Sequence, residues 1–261
     1  MQITNSPINF VGARHTVGFI QAYVKPGAHI LDVGSGNGIL TIKMRQAGYD
    51  VTAIDQNSNA VTEAQSLGIE TSCISLFDYL ANRQFDAILM SRSFHHMQPL
   101  LNAATKSKEL LKEGGIFILE DFAAELMDEP TALWFFGMRA YLEASGNNQK
   151  SRGPKLENGQ IPLSALQSWR QHLQAHGVAD SQEMRHALES NFNIMKREQV
   201  PYRYRYFLED VNEAQGQAIF EWENRLSKFG AIQTLGLRII AQKAERGITP
   251  IAPEENSASS I

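Results

Sequence analysis

The sequence predicts an α/β fold in which a mostly parallel, doubly wound sheet carries helices on both faces. Short apolar runs typical of buried strands alternate with segments of helical periodicity between residues 10 and 121. The first strand leads directly into a glycine-rich turn, and this combination is typical of ligand-binding parallel sheets. Helical patterns and two further β patterns follow, and we expect a single domain over residues 1–261.

The alternation begins with an apolar helical pattern at about 10–23, which ends at the Pro26-Gly27 break. The predicted strands lie at about 29–33, 50–54, 69–75, 85–90 and 116–120. The predicted helices between them lie at about 38–47, 58–67 and 99–111. Ligands of parallel sheets bind beyond the carboxyl ends of the strands, so the chemistry-bearing residues at those ends are expected to converge.

The composition changes after the fifth strand. Residues 122–190 are longer than a crossover requires and contain the aromatic cluster Trp134-Phe135-Phe136. The breaker-rich stretch 146–162 predicts a mobile loop, and helical patterns follow at about 163–176 and 181–190. We interpret 122–190 as a helical cap inserted over the site. The alternative is a helical elaboration that only covers core.

The end of the chain returns to β structure over residues 191–245. The segment Tyr202-Arg-Tyr-Arg-Tyr206 alternates strictly, which predicts a strand with tyrosines on one side and arginines on the other. A helix at about 211–228 and a last strand at about 234–243 follow. Residues 246–261 are mostly small and polar, and we expect a flexible tail.

The composition is that of a globular protein with a buried core: 261 residues, 43% hydrophobic and 20% charged. The net charge of −4 gives no broad basic surface for nucleic acid. A single cysteine, Cys73, excludes an intramolecular disulfide and suits a reducing compartment. Residues 1–10 lack the features of a signal peptide, and no apolar segment reaches the ~20 residues of a membrane span. We therefore expect a cytoplasmic protein.

The glycine-rich turn carries the most information. Its pattern D-x-G-x-G-x-G at 32–38 lets backbone approach a ligand, and the following helix amides can hold a negative group. Asp55 ends the second strand, where a carboxylate accepts hydrogen bonds from ribose hydroxyls; capping of the next helix is the alternative. The dinucleotide fingerprint is not met, because Ile39 occupies its third glycine position. These residues indicate a nucleoside ligand.

This pattern resembles the first motif of the class I S-adenosylmethionine-dependent methyltransferases, which have a Rossmann-like fold. The similarity covers 28–121 and, more weakly, the last two strands. It implies a seven-stranded sheet with an antiparallel last strand and a cofactor-binding core at 10–121. It also implies S-adenosyl-L-methionine as cofactor, S-adenosyl-L-homocysteine as product and a small-molecule methyl acceptor. The residues implied to contact the cofactor are Asp32, Gly34, Ser35, Gly36, Gly38, Asp55, Gln56, Phe77, Asp78 and Ser91.

The same resemblance assigns a part of the cofactor to each group. The glycine turn would contact the methionine part, and Asp55 would bind the ribose. Gln56 would lie near the adenine, and Asp78 would meet the adenine amino group beside the amide of Phe77. The stretch from Ser91 to Met97 resembles the family's segment beside the methyl group, and Leu111–Gly115 matches its turn before strand five.

Methyl transfer requires a nucleophile in line with the S–CH3 bond, and an amine or hydroxyl also needs a proton acceptor near neutral pH. His95 and His96 follow the fourth strand and are the natural candidates. We favour His96, because it matches the family's position. The alternative is that this side chain only shapes the pocket.

Five residues are candidates for contact with the methyl acceptor: Arg92, Glu120, Phe122, Trp134 and Tyr204. Arg92 can pair with a substrate carboxylate, and the alternative is a surface ion pair. Glu120 can pair with a substrate amine, and the alternative is a cap of the next helix. His172 and His176 stand one helical turn apart without a third ligand. We expect no metal site and place both histidines toward the pocket under the cap.

Two other functions fit parts of the sequence. A nicotinamide-dependent oxidoreductase also needs Gly34, Gly36 and Asp55, and a non-catalytic S-adenosylmethionine-binding partner of another protein needs only the cofactor motifs. Nucleic acid is disfavoured as the acceptor, because Ser91–Phe94 lacks the Asn/Asp-Pro-Pro-aromatic motif of base methylases. The accepting atom (O, N or C) and the oligomeric state stay open.

Overall fold

The computed structural model describes residues 9–147 and 153–244. Its strands are β1 (His29–Val33), β2 (Asp50–Asp55), β3 (Thr71–Cys73), β4 (Phe85–Ser91), β5 (Leu111–Phe122), β6 (Asn193–Val200) and β7 (Gly236–Gln242). Its α-helices are α1 (Val11–Gln21), α2 (Ile39–Gln46), α3 (Ser58–Ser66), α4 (Leu100–Leu110), α5 (Glu129–Ala144), α6 (Ala165–His176), α7 (Ser181–Glu189) and α8 (Glu213–Lys228). The predicted tail at 246–261 lies outside the described residues, as do residues 148–152 of the predicted loop.

The strands form one seven-stranded sheet in the order β3-β2-β1-β4-β5-β7-β6. The pairs among β1 to β5 are parallel, and β7 is antiparallel to both of its neighbours, β5 and β6. The fold predicted from the sequence and the resemblance, including the antiparallel last strand, is confirmed. The strand order reverses between β1 and β4, and a crevice at such a switch point is where these sheets bind ligands.

Helices cover both faces of the sheet because successive residues of a buried strand point to opposite faces. Ile30 of β1 packs in the cluster that contains residues of α1 and α2, whereas Leu31 packs with residues of α4 and α7. A further apolar cluster joins α5, α6 and α8, with Phe135 and Trp169 fully buried. None of the helices in the described ranges has the length and apolar character needed to cross a membrane.

Each of the three α-helices between β5 and β6 begins with a side-chain cap. Asp128 accepts a hydrogen bond from the Thr131 amide at the start of α5, and Ser164 caps α6. Asp180 and Glu183 form a capping box at the start of α7. These caps explain why α6 and α7 start within two residues of their predicted positions.

The strand predicted for Tyr202–Tyr206 is wrong. Strand β6 ends at Val200, and residues Arg203–Phe207 form a short 3₁₀ turn. The buried carboxylate of Glu223 accepts hydrogen bonds from the amides of residues 202, 203 and 204, at 2.8, 2.8 and 2.7 Å. Successive amides of a strand point in opposite directions, so three in a row cannot reach one carboxylate from a strand.

The turn expected over Leu111–Gly115 before the fifth strand lies within β5 instead. Strand β5 begins at Leu111, opposite Phe85, and the pairing with β4 then resumes at Ile116 opposite Ala87. The two glycines therefore lie in an irregularity within the strand. Gly114 has φ +71°, and a Cβ on Gly115 would lie 2.8 Å from the Lys112 carbonyl oxygen.

Candidate active site

The glycine turn after β1 combines tight packing with an open face. A Cβ on Gly34 would lie 2.5 Å from Cβ of Ser93, and one on Gly38 would lie 2.5 Å from Cδ1 of Ile69. A Cβ on Gly36 would meet no atom within 4 Å. All three glycines have positive φ, at 72°, 58° and 76°. The turn is therefore held from behind by side chains, while its middle glycine faces open space.

Asp55 ties the end of β2 to this turn. Its Oδ2 accepts a hydrogen bond of 2.8 Å from the Gly36 amide, and its Oδ1 accepts one of 2.8 Å from the Asn57 amide. The cap of α3 is provided by the side chain of Asn57 rather than by Asp55. The carboxylate is only partly buried, so its remaining lone pairs can accept hydrogen bonds from a ligand.

Asp32 lies beneath the turn and is buried. Burial raises the pKa of its carboxyl to about 6, although the hydrogen bond of 2.7 Å from the Thr41 hydroxyl acts against the rise. Oγ of Ser35 is buried without a hydrogen-bond partner in the described structure. An open glycine, a partly free carboxylate and an unpaired hydroxyl form a cradle that fits the polar end of a nucleoside cofactor.

The predicted adenine-side residues lie on the surface beyond β2 and β3. Gln56 and Asp78 are exposed, and the Phe77 side chain is 41% exposed. Asp78 accepts a hydrogen bond of 2.5 Å from the Ser75 hydroxyl, which orients its carboxylate. Among the described residues no hydrogen bond joins these three to the glycine turn, so their role in cofactor binding stays a prediction.

A cavity of about 380 Å³ opens at the carboxyl ends of β4 and β5. Its walls come from the segment after β4, the end of β5, helix α6 and the turn after β6. The lining residues are Arg92, His95, His96, Phe122, Gly153, His172, Leu173, His176, Val178, Tyr202, Arg205, Tyr206 and Glu209. The structure thus brings together four predicted site residues, Arg92, His95, His96 and Phe122.

His95 forms a buried pair with Asp121 in the cavity wall. Nδ1 of His95 lies 2.7 Å from Oδ1 of Asp121, and the His95 amide donates a 3.3 Å hydrogen bond to Oδ2. The Asp121 side chain is fully enclosed and that of His95 is 6% exposed. A carboxylate on Nδ1 keeps the proton there and leaves Nε2 as the free acceptor.

His96, the histidine that the resemblance favours, lies beside this pair but is exposed. The ring centroids of His95 and His96 are 4.0 Å apart. Burial of part of the ring lowers the pKa of His96, and His95 lowers it further, while Asp121 opposes the shift. Within the described structure no hydrogen bond fixes the orientation of the His96 ring, in contrast to His95.

His172 and His176 face the cavity from α6, as the sequence predicted. Their ring centroids are 4.1 Å apart. Burial is the larger cause, and the neighbouring His176 the second, of a fall in the pKa of His172 to about 4. His172 is therefore neutral at physiological pH. No group of three or more His, Cys, Asp or Glu residues in the described ranges could hold a metal ion.

Three predicted acceptor-binding residues and Ser91 do not line this cavity. Glu120 is fully buried and is paired with Arg205 and Arg238. Tyr204 is 1% exposed and packs on Phe220. Trp134 packs edge-on against Phe207 and Trp222, and Ser91 lies 3.3 Å from the Glu120 carboxylate. Glu120 and Ser91 thus belong to an ion-pair cluster that Glu120 forms with Arg205 and Arg238. Tyr204 and Trp134 lie in a packed apolar cluster.

Asp121, Tyr202 and Tyr206 are not among the five residues that the sequence names as candidates for contact with the methyl acceptor, although each stands within two residues of one of them in the chain. Glu120 and Asp121 are neighbours near the end of β5, and alternation sends them to opposite faces of the sheet, so only Asp121 lies beside His95 of the cavity wall. The buried partner of Asp121, His95, comes from a different strand end and gave no local signal. The tyrosines were assigned to a strand face, whereas the 3₁₀ turn directs Tyr202 and Tyr206 into the cavity wall.

The sheet order, the antiparallel β7, the glycine turn and the acidic residue after β2 together define a class I methyltransferase fold. The family model described as a methyltransferase domain matches residues 9–183. The chain therefore belongs to the methyltransferase domain family.

Among curated relatives, the ubiquinone biosynthesis O-methyltransferase of Xanthomonas campestris is 34% identical over 102 residues, 36% of this chain and 43% of that protein. The chain thus spans less than half the length of the curated relatives that it matches first.

Solved structures share the fold at low sequence identity. The N-methyltransferase NodS from Bradyrhizobium japonicum, in complex with S-adenosyl-L-homocysteine, has a TM-score of 0.52 at 13% identity, covering 93% of this chain and 91% of that one. The [4+2]-cyclase SpnF has a TM-score of 0.53 at 16% identity, covering 88% of this chain and 80% of that one. At these identities the likeness shows the fold alone.

Proposed function

We propose that this protein transfers a methyl group from S-adenosyl-L-methionine to an O, N or C atom of a small-molecule acceptor by in-line displacement. One observation carries the proposal: the glycine turn tied to Asp55 and the cavity that holds the His95–Asp121 pair lie at the same edge of the sheet. Family membership supports the reaction class, and the net charge of −4 favours a small acceptor over nucleic acid.

The residues of the glycine turn would bind the cofactor. Gly36 leaves room for its methionine part, the unpaired Ser35 hydroxyl supplies a hydrogen bond, and Asp55 accepts from the ribose hydroxyls. Gln56, Phe77 and Asp78 would surround the adenine, with Gly34, Gly38 and Asp32 supporting the turn. When bound, this cofactor supplies a methyl group on a sulfonium, with S-adenosyl-L-homocysteine as the product.

His95 would act as the proton acceptor for a hydroxyl or amine of the acceptor. Asp121 holds the proton on Nδ1 and stabilises the imidazolium that forms when Nε2 takes a second proton. His96 would contact the acceptor from the adjacent position, with a lowered pKa that keeps it neutral. Phe122 and the two cavity tyrosines would supply the apolar wall, and α6 would cover the acceptor as part of the cap at 122–190.

The accepting atom is not fixed by the relatives, since the matched curated enzyme is an O-methyltransferase and NodS is an N-methyltransferase. A neighbour of similar TM-score is a cyclase, so binding of the cofactor has to be separated from turnover. A cytoplasmic location remains a prediction from the sequence.

The test is a calorimetric titration of the purified chain with S-adenosyl-L-methionine and with NADH, followed by measurement of S-adenosyl-L-homocysteine release with a panel of small acceptors. We expect micromolar binding of the sulfonium cofactor, no binding of NADH and release that depends on an acceptor. Binding of NADH alone would establish the oxidoreductase alternative. Cofactor binding without release on any acceptor would favour the non-catalytic partner.

A further inference from the structure

Arg92 has an unusual backbone conformation at the entrance of the cavity. Its φ is +59°, and Asn158 is the only other described non-glycine residue with positive φ. The Arg92 amide donates a 2.8 Å hydrogen bond to the carbonyl oxygen of Glu120, which holds this left-handed turn between the ends of β4 and β5. Non-glycine residues in this conformation are strained and are found preferentially at functional sites.

The turn presents a cation with which no carboxylate in the described ranges forms an ion pair. Arg92 is exposed, lines the cavity and forms no hydrogen bond or ion pair through its guanidinium within the described ranges. The second lining arginine, Arg205, differs because its side chain is only 6% exposed and is paired with Glu120 at 3.0 Å. The lining carboxylate, Glu209, is exposed and forms no ion pair with Arg92.

The rest of the cavity beside Arg92 is aromatic. Phe122 stacks on Tyr202 with a centroid distance of 5.1 Å, and Tyr206 packs edge-on against Tyr202 at 6.1 Å. Arg92 lines the same cavity as Tyr202 and Tyr206. Burial raises the pKa of both tyrosines, and the charge of Arg92 acts against that rise in each. Both tyrosines therefore stay neutral and cannot serve as the counter-ion of Arg92.

We propose that Arg92 is an anion subsite and that the methyl acceptor carries a carboxylate on a planar, apolar body. The carboxylate would take the two parallel N–H bonds of the guanidinium, and the body would stack along Phe122, Tyr202 and Tyr206. This geometry leaves the reacting hydroxyl or amine toward His95. The inference rests on the proposed function and names the substrate class of that site.

The test uses matched pairs of carboxylates and their amides: 4-hydroxybenzoate, 3,4-dihydroxybenzoate and 4-aminobenzoate, each against the corresponding benzamide. Binding is measured by calorimetry on the full chain saturated with S-adenosyl-L-homocysteine. For the wild type we expect at least one pair in which the acid binds about tenfold or more tightly than its amide, the loss expected when one charge-assisted pair is removed.

The variant Arg92→Asn removes the cation while asparagine tolerates the left-handed conformation, so the turn is retained. We expect the acid and amide of that pair to bind within about twofold of each other. Arg92→Lys keeps the charge without the planar fork and should retain part of the preference. Arg170→Asn, at an exposed arginine of α6 that does not line the cavity, is the matched control and should behave as the wild type.

The proposal would be overturned if no pair showed tighter binding of the acid, or if none of the compounds bound. It would also be overturned if the preference for the acid persisted in Arg92→Asn. Loss of S-adenosyl-L-homocysteine affinity in Arg92→Asn would also overturn it, because Arg92 would then serve the cofactor's own carboxylate. Failure of the proposed function is distinct: the wild type itself would not bind the cofactor.

Discussion

His95 and Asp121 illustrate how one contact separates two neighbouring histidines. The sequence favours His96, yet only the ring of His95 is held by a carboxylate, at 2.7 Å. A base of fixed orientation transfers protons more effectively than a freely rotating exposed ring. For this reason we propose His95, rather than His96, as the proton acceptor.

Replacement of Asp121 by asparagine should lower kcat about 100-fold, because Nδ1 loses the partner that fixes the tautomer of His95. The affinity for S-adenosyl-L-methionine should stay within about twofold, since Asp121 does not contact the glycine turn. Steady-state kinetics with cofactor calorimetry makes the comparison. Asp50→Asn, which makes the same chemical change at an exposed pair with Arg83 away from the site, is the control; an equal loss of kcat in both variants would contradict the assignment.

Asp55→Ala should weaken cofactor binding by about 2 kcal/mol, or roughly 30-fold, because the ribose loses a charged acceptor. The substitution also removes the acceptor of the Gly36 amide, so Asp55→Asn, which keeps one acceptor oxygen, should lose less. Asp50→Asn at the opposite end of β2 is the control, since its exposed pair with Arg83 lies away from the site. An unchanged cofactor Kd in Asp55→Ala would show that the turn binds something else.

At the scale of elements, the 3₁₀ turn after β6 decides the shape of the cavity. Glu223 of α8 holds three consecutive amides of this turn. The guanidinium of Arg203 lies 4.0 Å from the ring centroid of Trp169, which joins the turn to α6. Because the turn is attached to both helices, Tyr202 and Tyr206 keep fixed positions in the cavity wall.

Glu223→Gln should destabilise the fold by about 2 kcal/mol, because the amide NH2 of glutamine faces a backbone N–H where the carboxylate accepted a hydrogen bond. Urea unfolding measures the loss. Glu221→Gln, at an exposed position of the same helix, should change the free energy of unfolding by less than about 0.5 kcal/mol. Equal stabilities of the two variants would show that the three hydrogen bonds contribute little.

At the scale of the whole molecule, Glu120 connects the first and last parts of the chain. Its buried carboxylate is paired with Arg205 of the 3₁₀ turn and Arg238 of β7, and it accepts a hydrogen bond from Thr16 of α1. Burial alone would raise the pKa of Glu120, but the two arginines dominate and lower it to about 2.

A folded-state pKa below the unfolded value of 4.5 contributes stability that is complete above about pH 5 and is lost as the pH falls toward 2. The loss amounts to roughly 3 kcal/mol, from the pKa difference. In Glu120→Gln this part of the acid dependence should be absent, and at neutral pH the variant should be less stable by about 3 kcal/mol because two buried cations lose their anion.

Denaturant unfolding at a series of pH values from 7 to 2 tests this expectation. Asp50→Asn, which breaks an exposed pair, serves as the control and should keep the wild-type acid dependence. If Glu120→Gln follows the wild-type curve at every pH, the cluster does not control acid stability.

The sequence by itself determined the class of fold, the strands of the parallel half and the glycine turn with Asp55. These features are local: a buried strand, a turn that requires positive φ and an acidic strand end each leave a short signature. Arg92, His95, His96 and Phe122, which the sequence predicts as site residues, all line one cavity, because the carboxyl ends of neighbouring parallel strands meet at one edge of the sheet.

Only the tertiary structure decided which histidine has a carboxylate partner, which carboxylate is paired with buried arginines and which tyrosines face the cavity. Each outcome depends on residues far apart in sequence: Asp121 lies 26 positions from His95, and Glu120 lies 85 and 118 positions from its arginines. The strand predicted at Tyr202–Tyr206 failed for the same reason. The alternation of tyrosine and arginine favours a strand only weakly. The three hydrogen bonds from buried amides to the Glu223 carboxylate of α8 stabilise the 3₁₀ turn by more than this preference.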